Sequence, residues 1–396
     1  MTATVKRIDL RGAPILDNHC HGFRNADLLT LDPGGWESRL TMMGMCFASS
    51  GGTDQRLAAQ VRALGDSTVF ALTARRWLAQ RLGCVATPRA IADARYAAYS
   101  AGPVAYVSGL LADQGVVGLI ADDGFPQPTV TRAEFEENLG TPVYRVARIE
   151  PWIEELQHSG ARFTEFEEGF EQRLDAAAAD QHTIGFKSII GYRTGLDVTD
   201  PTRGEAAAAL EQWRAQSWSK DRGPGKVVRD YLLRATLRGA RRHERVTHIH
   251  VGGGDPDIVL AHVRPRDVFA LLHDHMDQPI VMIHGGYPWL AEAAYIASIL
   301  PFAYLDLSEF LPWASLGTDR ELETLLGVVP TSKLLYGSDE ASEPEVLWLS
   351  ARMAREALER VLSSAFERDL LTPNEALGVG RGVLGENSMR LHGIHG

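Results

Sequence analysis

The chain has 396 residues, of which 45% are hydrophobic and 23% charged, the composition of an ordinary globular protein. Its formal net charge of −11 argues against nucleic acid or an anionic membrane as a partner and leaves a small-molecule substrate as the expected one. Three cysteines form no paired framework, and neither a signal-peptide core nor a bilayer-length apolar stretch is found, so the sequence predicts a cytoplasmic protein.

Eight short β-rich runs recur along the chain, most of them separated by stretches with helical character. They are Pro14–His21, Val116–Ala121, Val143–Ile149, Ile184–Ile190, Val246–Val251, Ile280–Ile283, Phe302–Leu307 and Lys333–Tyr336. Several are continuous apolar runs, which are typical of parallel strands buried on both faces. Strand followed by helix, repeated eight times, predicts an α/β fold of the (β/α)8 or TIM-barrel type. A doubly wound sheet is the alternative, but Gly252-Gly253-Gly254 lacks the glycine spacing of a dinucleotide-binding loop.

The long segment Gly22–Gln114 separates the first two predicted strands. Its pattern is mostly helical, with helices expected at Thr53–Leu64, Ala71–Leu82 and Thr87–Tyr99. The sequence therefore predicts one domain over residues 1–396, in which residues 22–114 form a helical cap inserted after the first strand and lying over the barrel mouth.

Polar residues with metal-binding chemistry follow several of the predicted strands. His19 and His21 end the first strand, where alternation directs both to one face. His250 and His284 end the fifth and sixth strands, and Asp339 follows the eighth. Neutral imidazoles at the catalytic end of a barrel favour a divalent metal, most commonly Zn²⁺. Taken singly each residue has a plainer interpretation, such as a loop cap for His284 or a helix N-cap for Asp339.

With these residues at the ends of strands one, five, six and eight, the sequence resembles the amidohydrolase superfamily. The resemblance is to its amidohydrolase-related branch, and most closely to the FluG and nodulin type of domain. The matching stretches cover most of the chain outside residues 22–114. They are Ile15–His21, Val117–Phe125, Gly185–Leu196, His250–Asp255, Val281–Pro288, Tyr304–Ser308, Leu335–Glu340 and Glu386–Gly393.

The resemblance implies a metal site and a reaction. His19, His21, His250 and Asp339 would bind one Zn²⁺, with Mn²⁺ or a binuclear site as alternatives. The implied reaction is hydrolysis of an amide or other C–N bond by a metal-activated water. Asp339 would take the proton of that water and pass it to the leaving group, while His284 stabilises the developing oxyanion.

Two other functions remain open at this stage. A Zn-dependent nonoxidative decarboxylase of the same branch uses the same constellation. The other is a non-catalytic barrel that binds a ligand. The presence of the complete set of implied metal ligands disfavours it. The sequence does not decide whether the protein forms a homo-oligomer.

Lys187, Arg193 and Tyr287 are the predicted substrate-binding residues. Lys187 and Arg193 share one face of the fourth strand and its extension, which favours binding of a substrate carboxylate. A superfamily lysine on this strand can be carbamylated and bridge two metals, but that position falls nearer Ile190, so a mononuclear site is favoured. The plainer interpretation of Lys187 is a solvated strand-edge lysine, and that of Tyr287 is a core aromatic residue.

Further polar groups are expected around the barrel mouth. Those after the second and third strands have turn formation and helix capping as an equally good interpretation; they are Asp122, Asp123, Arg148 and Glu150. Those after the seventh strand are expected to contact polar groups of a substrate; they are Asp306, Ser308 and Glu309.

Overall fold

The computed structural model describes residues 7–29, 33–126 and 128–395. Its strands are β1 Ile15–His21, β2 Val116–Asp122, β3 Val143–Arg148, β4 Thr183–Ser188, β5 Val246–His250, β6 Ile280–Ile283, β7 Ala303–Asp306, β8 Ser308–Glu309 and β9 Leu334–Leu335. All but the two-residue β8 belong to one sheet, in the order β1-β2-β3-β4-β5-β6-β7-β9, and the neighbours in this order pair in parallel.

Backbone hydrogen bonds between β1 and the segment after β9 close this sheet. The amide of Asn18 donates to the carbonyl of Tyr336, and the amide of Asp339 donates to the carbonyl of His19, both at 2.9 Å. The predicted (β/α)8 barrel is therefore confirmed.

Seven helices lie between β1 and β2 in the described part of the chain. They are α1 Asn25–Leu28, α2 Pro33–Arg39, α3 Met42–Ser49, α4 Gln55–Gly65, α5 Val69–Leu82, α6 Pro88–Ala101 and α7 Pro103–Asp113. The later helices are α8 Arg132–Leu139, α9 Glu150–His158, α10 Phe163–Ala179, α11 Arg203–Ala215, α12 Gly223–Arg242, α13 Pro265–Asp274, α14 Leu290–Ile299, α15 Phe310–Trp313, α16 Thr318–Leu326, α17 Pro344–Glu367, α18 Pro373–Arg381 and α19 Asn387–His392. None of the described helices has the length and apolarity that a membrane span requires.

The barrel interior away from the catalytic ends is filled by side chains. One cluster comes from β1 to β4, namely Leu16, Ile120, Val146 and Ile184. A second comes from β5, β6 and β9, namely Val246, Val281, Ile283 and Leu335. Helix α19 packs against both clusters through Met389 and Leu391. Because this end is packed, a ligand can enter only from the other end, where the strands terminate.

The helices between β1 and β2 build a second small core with α17. Trp36, Phe70 and Leu78 are buried together with Trp348 and Leu349. An ion pair crosses this contact: the buried Arg95 of α6 places its Nε 3.0 Å from the Glu345 carboxylate of α17. The segment predicted to be a helical cap is thus fixed to the helix that follows Asp339. That it is an insertion within a single domain stays a prediction.

Candidate active site

A cavity of about 300 Å³ lies at the C-terminal ends of the strands. That volume is at the lower end of the range for small-molecule sites. Helix α3 contributes Met42, Met45 and Cys46 to its lining. The barrel contributes most of the polar lining, which comprises His19, His21, Arg148, Lys187, Tyr192, Arg193, His250, Asp255, His284, Glu309 and Asp339.

Asp339 lies among three imidazoles in this cavity. Its Oδ1 atom is 3.3 Å from Nε2 of His19 and 3.6 Å from Nε2 of His21. Its Oδ2 atom is 3.9 Å from Nδ1 of His284. The structure therefore brings together four residues that the sequence places on three different strands or strand ends.

The local structure of β1 explains the position of His19. The register with β2 shifts between Asp17 and Cys20, as at a β-bulge, which re-aims a side chain. The Asp17 carboxylate fixes this turn because its Oδ1 accepts the amides of His19 at 3.2 Å and of Ser338 at 3.0 Å. Cys20 is buried in the main core on the other face of the strand, so only the histidines face the cavity.

Three of the lining residues have a left-handed backbone although they are not glycine. They are His284, Glu309 and Asp339, with φ values of 70°, 69° and 56°. Each follows the end of a strand, and each lines the cavity. Such a conformation costs of order 1–3 kcal/mol and is concentrated at functional sites. These backbone conformations therefore reduce the stability of the fold while they orient the three side chains.

The residues around Asp339 fit a divalent cation. Burial lowers the pKa of His19 well below its usual value, so its imidazole is neutral and has a lone pair to donate. Within the described part of the chain, the Nδ1 atoms of His19 and His21 have no hydrogen-bond partner. Two overlapping sets of donor atoms lie within 4.8 Å of one another: His19, His21 and Asp122 in one, and His19, His284 and Asp339 in the other. Neutral imidazole and carboxylate are the donors that Zn²⁺ and similar ions prefer.

His250 lines the cavity but belongs to neither of these donor sets. Its Nε2 lies 2.6 Å from the Gly253 carbonyl, and its Nδ1 lies 3.0 Å from Nε2 of His284. Because a carbonyl can only accept, this network assigns an N–H to Nε2 of His250 and another to Nε2 of His284. Burial lowers the pKa of His250 to about 3. Its role as a metal ligand stays a prediction.

Lys187 is a buried residue of the cavity. Its side chain is 1% exposed, and its Nζ lies 3.3 Å from Nε2 of His19. Burial lowers the pKa of Lys187 to about 8, against the opposing effect of Asp122. The interpretation as a solvated strand-edge lysine is therefore wrong.

Arg193 also lines the cavity, although β4 ends at Ser188 and a 3-10 turn at Ile190–Tyr192 intervenes. Its guanidinium is 3.3 Å from Glu154. The third predicted substrate-binding residue, Tyr287, is absent from the described lining.

Asp122 and Arg148 have more than a turn-forming role. The Arg148 Nε lies 2.9 Å from Oδ1 of Asp122, and Arg148 lines the cavity. Burial alone would raise the pKa of Asp122, but the Arg148 guanidinium outweighs it and holds that pKa well below its usual value. In the sequence, their position at the ends of β2 and β3 is the feature that indicates a place in the site, since functional groups of barrels lie at strand ends.

The glycine run after β5 permits close backbone packing. Gly252 has a φ of 112°, and a Cβ atom there would lie 2.4 Å from the carbonyl oxygen of Tyr287. The amide of Gly253 donates to that same carbonyl at 2.6 Å. Glycine is needed because the loop passes directly against the turn that follows His284.

A sequence model described as amidohydrolase matches residues 149–393, more than half of the chain. The chain belongs to the amidohydrolase family. A curated relative, protein fluG of Emericella nidulans, is 33% identical over 241 residues, which cover 58% of this chain and 28% of that protein. The chain thus spans little more than a quarter of the length of this relative.

Solved structures share the fold over nearly the whole chain. A protein of Lactobacillus casei, provisionally described as a metal-dependent hydrolase, has a TM-score of 0.82 at 22% identity, covering 98% of both chains. A uronate isomerase of Bacillus halodurans has a TM-score of 0.66 at 13% identity, covering 98% of this chain and 94% of that one. A glucuronate isomerase of Caulobacter crescentus has a TM-score of 0.65 at 15% identity, covering 98% and 92%.

Proposed function

We propose that this protein is a metal-dependent hydrolase that cleaves an amide or other C–N bond of a small, carboxylate-bearing substrate. The observation that carries the proposal is the position of Asp339, whose carboxylate lies within 3.3 to 3.9 Å of imidazole nitrogens of His19, His21 and His284. A carboxylate in that position can both help to hold a cation and exchange a proton with a group bound in the cavity.

The proposed metal is one Zn²⁺ per chain, held by His19, His21 and Asp339 together with His250, whose Nδ1 would exchange its hydrogen bond with Nε2 of His284 for the ion. His284 and Asp122 compete with His250 for the fourth place, because each shares a donor set with His19. When bound, the ion would supply an acidified water and polarise the carbonyl group of the substrate.

Asp339 is the proposed proton carrier. Its side chain is 15% exposed, whereas that of His19 is 1% exposed, so the carboxylate reaches the open part of the cavity. In the proposal Asp339 accepts a proton from the attacking water and then gives that proton to the leaving nitrogen of the substrate. His284 is held by Ser308, whose Oγ lies 3.0 Å from its Nδ1. Once Nδ1 of His250 binds the ion, the Nε2–H of His284 would be released and would stabilise negative charge that develops on the substrate oxygen.

The carboxylate of the substrate is assigned to the side of the cavity formed by β3 and β4. Arg148, Lys187 and Arg193 all line it there. Arg148 and Arg193 are each already paired with an acidic residue, whereas Lys187 has an imidazole as its neighbour. Lys187 is therefore the proposed primary contact for the substrate carboxylate.

The test is a turnover assay of the metal-loaded protein with a panel of carboxylate-bearing amides, related C–N compounds and sugar acids. We expect release of ammonia or an amine, and loss of that release in Asp339→Asn. Carbon dioxide without amine would instead indicate the decarboxylase. Conversion of a sugar acid without loss of mass would indicate an isomerase, as in the uronate isomerases that share the fold. Binding without any turnover would indicate the non-catalytic barrel.

A further inference from the structure

Glu309 is a buried carboxylate that the proposed hydrolysis does not use. Its residue is 3% exposed, and it lines the cavity. Its Oε2 atom is buried and has no hydrogen-bond partner among the residues that the structure describes. Buried carboxylates are nearly always paired, because leaving one unpaired costs several kcal/mol. An unpaired one that faces a cavity therefore points to a partner that arrives with the ligand.

The backbone holds Glu309 firmly in this position. The residue has a φ of 69° and forms an isolated β-bridge with Pro312 of α15. Its Oε1 atom would lie 3.3 Å from a Cβ atom placed on Gly253, so the carboxylate rests against the glycine run after β5. Its Oε2 atom would lie 3.9 Å from the same Cβ atom, so both oxygens border the glycine run while the residue lines the cavity.

The surroundings of Glu309 are acidic. Asp255 and Asp339 line the same cavity, and their charges add to burial in raising the pKa of Glu309 well above its usual value. Burial and the charge of Asp339 likewise raise the pKa of Asp255 to about 6. These carboxylates repel one another, and a positive charge placed among them would relieve that repulsion.

Arg148 lies across the barrel from Glu309. Arg148 ends β3 and Glu309 follows β7, and these strands are four positions apart in the order of eight. In a closed barrel that separation places them on opposite walls. A small molecule that spans the cavity would therefore meet a positive side chain at Arg148 and an acidic one at Glu309.

We propose that Glu309, assisted by Asp255, binds the ammonium group of a zwitterionic substrate. This deepens the proposed function and rests on it: the substrate class becomes amino acid derivatives with a free primary amine, a carboxylate and a cleavable C–N bond. An ammonium ion fits better than a second metal, since no described set of three donors within 4.8 Å includes Glu309. A neutral hydroxyl would not relieve the repulsion among Glu309, Asp255 and Asp339.

Calorimetric titration of the metal-loaded protein with matched pairs of unreactive acids tests the proposal. The pairs are L-aspartate with succinate, L-norleucine with hexanoate and L-phenylalanine with 3-phenylpropanoate, which differ only in the amino group. We expect the amino form of at least one pair to bind about ten- to hundredfold more tightly, the range for a charge-assisted hydrogen bond. Glu309→Gln should abolish this preference, and Asp255→Asn should reduce it.

The matched control is Glu323→Gln, which removes a carboxylate from an exposed site on α16 and should leave the preference unchanged. Equal affinity for both members of all three pairs, or a preference that survives in Glu309→Gln and Asp255→Asn alike, would overturn the proposal. Because binding is measured without turnover, an amino preference without amine release in the turnover assay would leave this subsite standing and refute the hydrolase alone.

Discussion

The Nζ atom of Lys187 lies 3.3 Å from Nε2 of His19, and both side chains are almost completely buried. The lysine is therefore close enough to a proposed metal ligand to influence the metal, the substrate or both. A bridging, carbamylated lysine would bind two ions, whereas a free ammonium would bind the substrate carboxylate beside a single ion.

Lys187→Met separates these roles. We expect KM to rise about ten- to hundredfold, since a charged hydrogen bond to the substrate is lost, while the metal content stays at one ion per chain. Two ions in the wild type and one in the variant would identify a bridging lysine instead. Elemental analysis and steady-state kinetics measure both quantities.

Lys333→Met is the matched control for Lys187. Lys333 is also buried, but its Nζ donates to the carbonyls of Ala297 and Leu300 at 2.7 and 2.6 Å. Its replacement should lower the free energy of unfolding, because two carbonyl groups lose their donor. It should leave KM unchanged, since Lys333 does not line the cavity.

The metal site is tested by His19→Asn, because His19 is common to both sets of donor atoms. We expect the variant to lose bound metal on dialysis and to lose activity by at least about a thousandfold. The surface variant His273→Asn, in α13, should retain both. If His19→Asn kept one tightly bound ion, the proposed centre would be in the wrong place. Elemental analysis before and after dialysis gives the answer independently of any substrate.

Arg95 joins the helices between β1 and β2 to the barrel. Its Nε lies 3.0 Å from Glu345, and its guanidinium lies 3.7 Å from Glu343. Arg95→Leu would leave both buried carboxylates without this cation, so we expect a loss of about 3–5 kcal/mol in the free energy of unfolding. Arg89→Leu, in the same helix and with its side chain 81% exposed, should cost far less, because solvent screens its ion pair. Urea denaturation compares the two, and equal losses would contradict the assignment.

Glu309→Gln should stabilise the ligand-free protein in a pH-dependent manner. Burial raises the pKa of Glu309 in the folded state well above 4.5, so below that pH both folded and unfolded chains are protonated. As the pH rises, Glu309 loses its proton in the unfolded chain first. The free energy of unfolding therefore falls with pH until the pH passes the pKa of Glu309 in the folded state. The variant has no such proton. We expect about 1–3 kcal/mol of added stability at pH 8 and none at pH 4, measured by urea denaturation; equal stabilities at pH 8 would show that the carboxylate has a partner.

The strands were predictable because buried parallel strands leave continuous apolar runs in the sequence. The residues at which the strands end were less predictable, as the fourth strand shows. Ile189 and Ile190 extend its apolar run, yet the strand ends at Ser188. The Glu150 carboxylate accepts the Ser188 hydroxyl at 2.8 Å and the Ile189 amide at 2.9 Å. A buried side chain from a neighbouring element thus takes the amide that would have extended the strand.

The cavity was predictable only where a residue type and a strand end coincide. Histidines are scarce enough that His19, His21 and His284 were noticeable, and the structure brings them to Asp339. The pairing of Asp122 with Arg148 depends on the contact between β2 and β3, which spacing does not encode. Nor does spacing show that Glu309 remains unpaired, because that depends on which side chains fail to reach it.

The amide of Asp339 donates to the carbonyl of His19, so one backbone contact both joins two proposed ligands and closes the barrel. His19 lies on the first strand of the sheet and Asp339 follows the last one, and bringing them together costs the entropy of closing almost the entire chain into a loop. A metal that binds them would stabilise only the closed form and would shift the folding equilibrium toward it. Chelation should therefore loosen the seam between the first and last strands before any other part of the sheet. A fragment that begins at residue 149, where the family match begins, would lack half of that seam and with it His19 and His21.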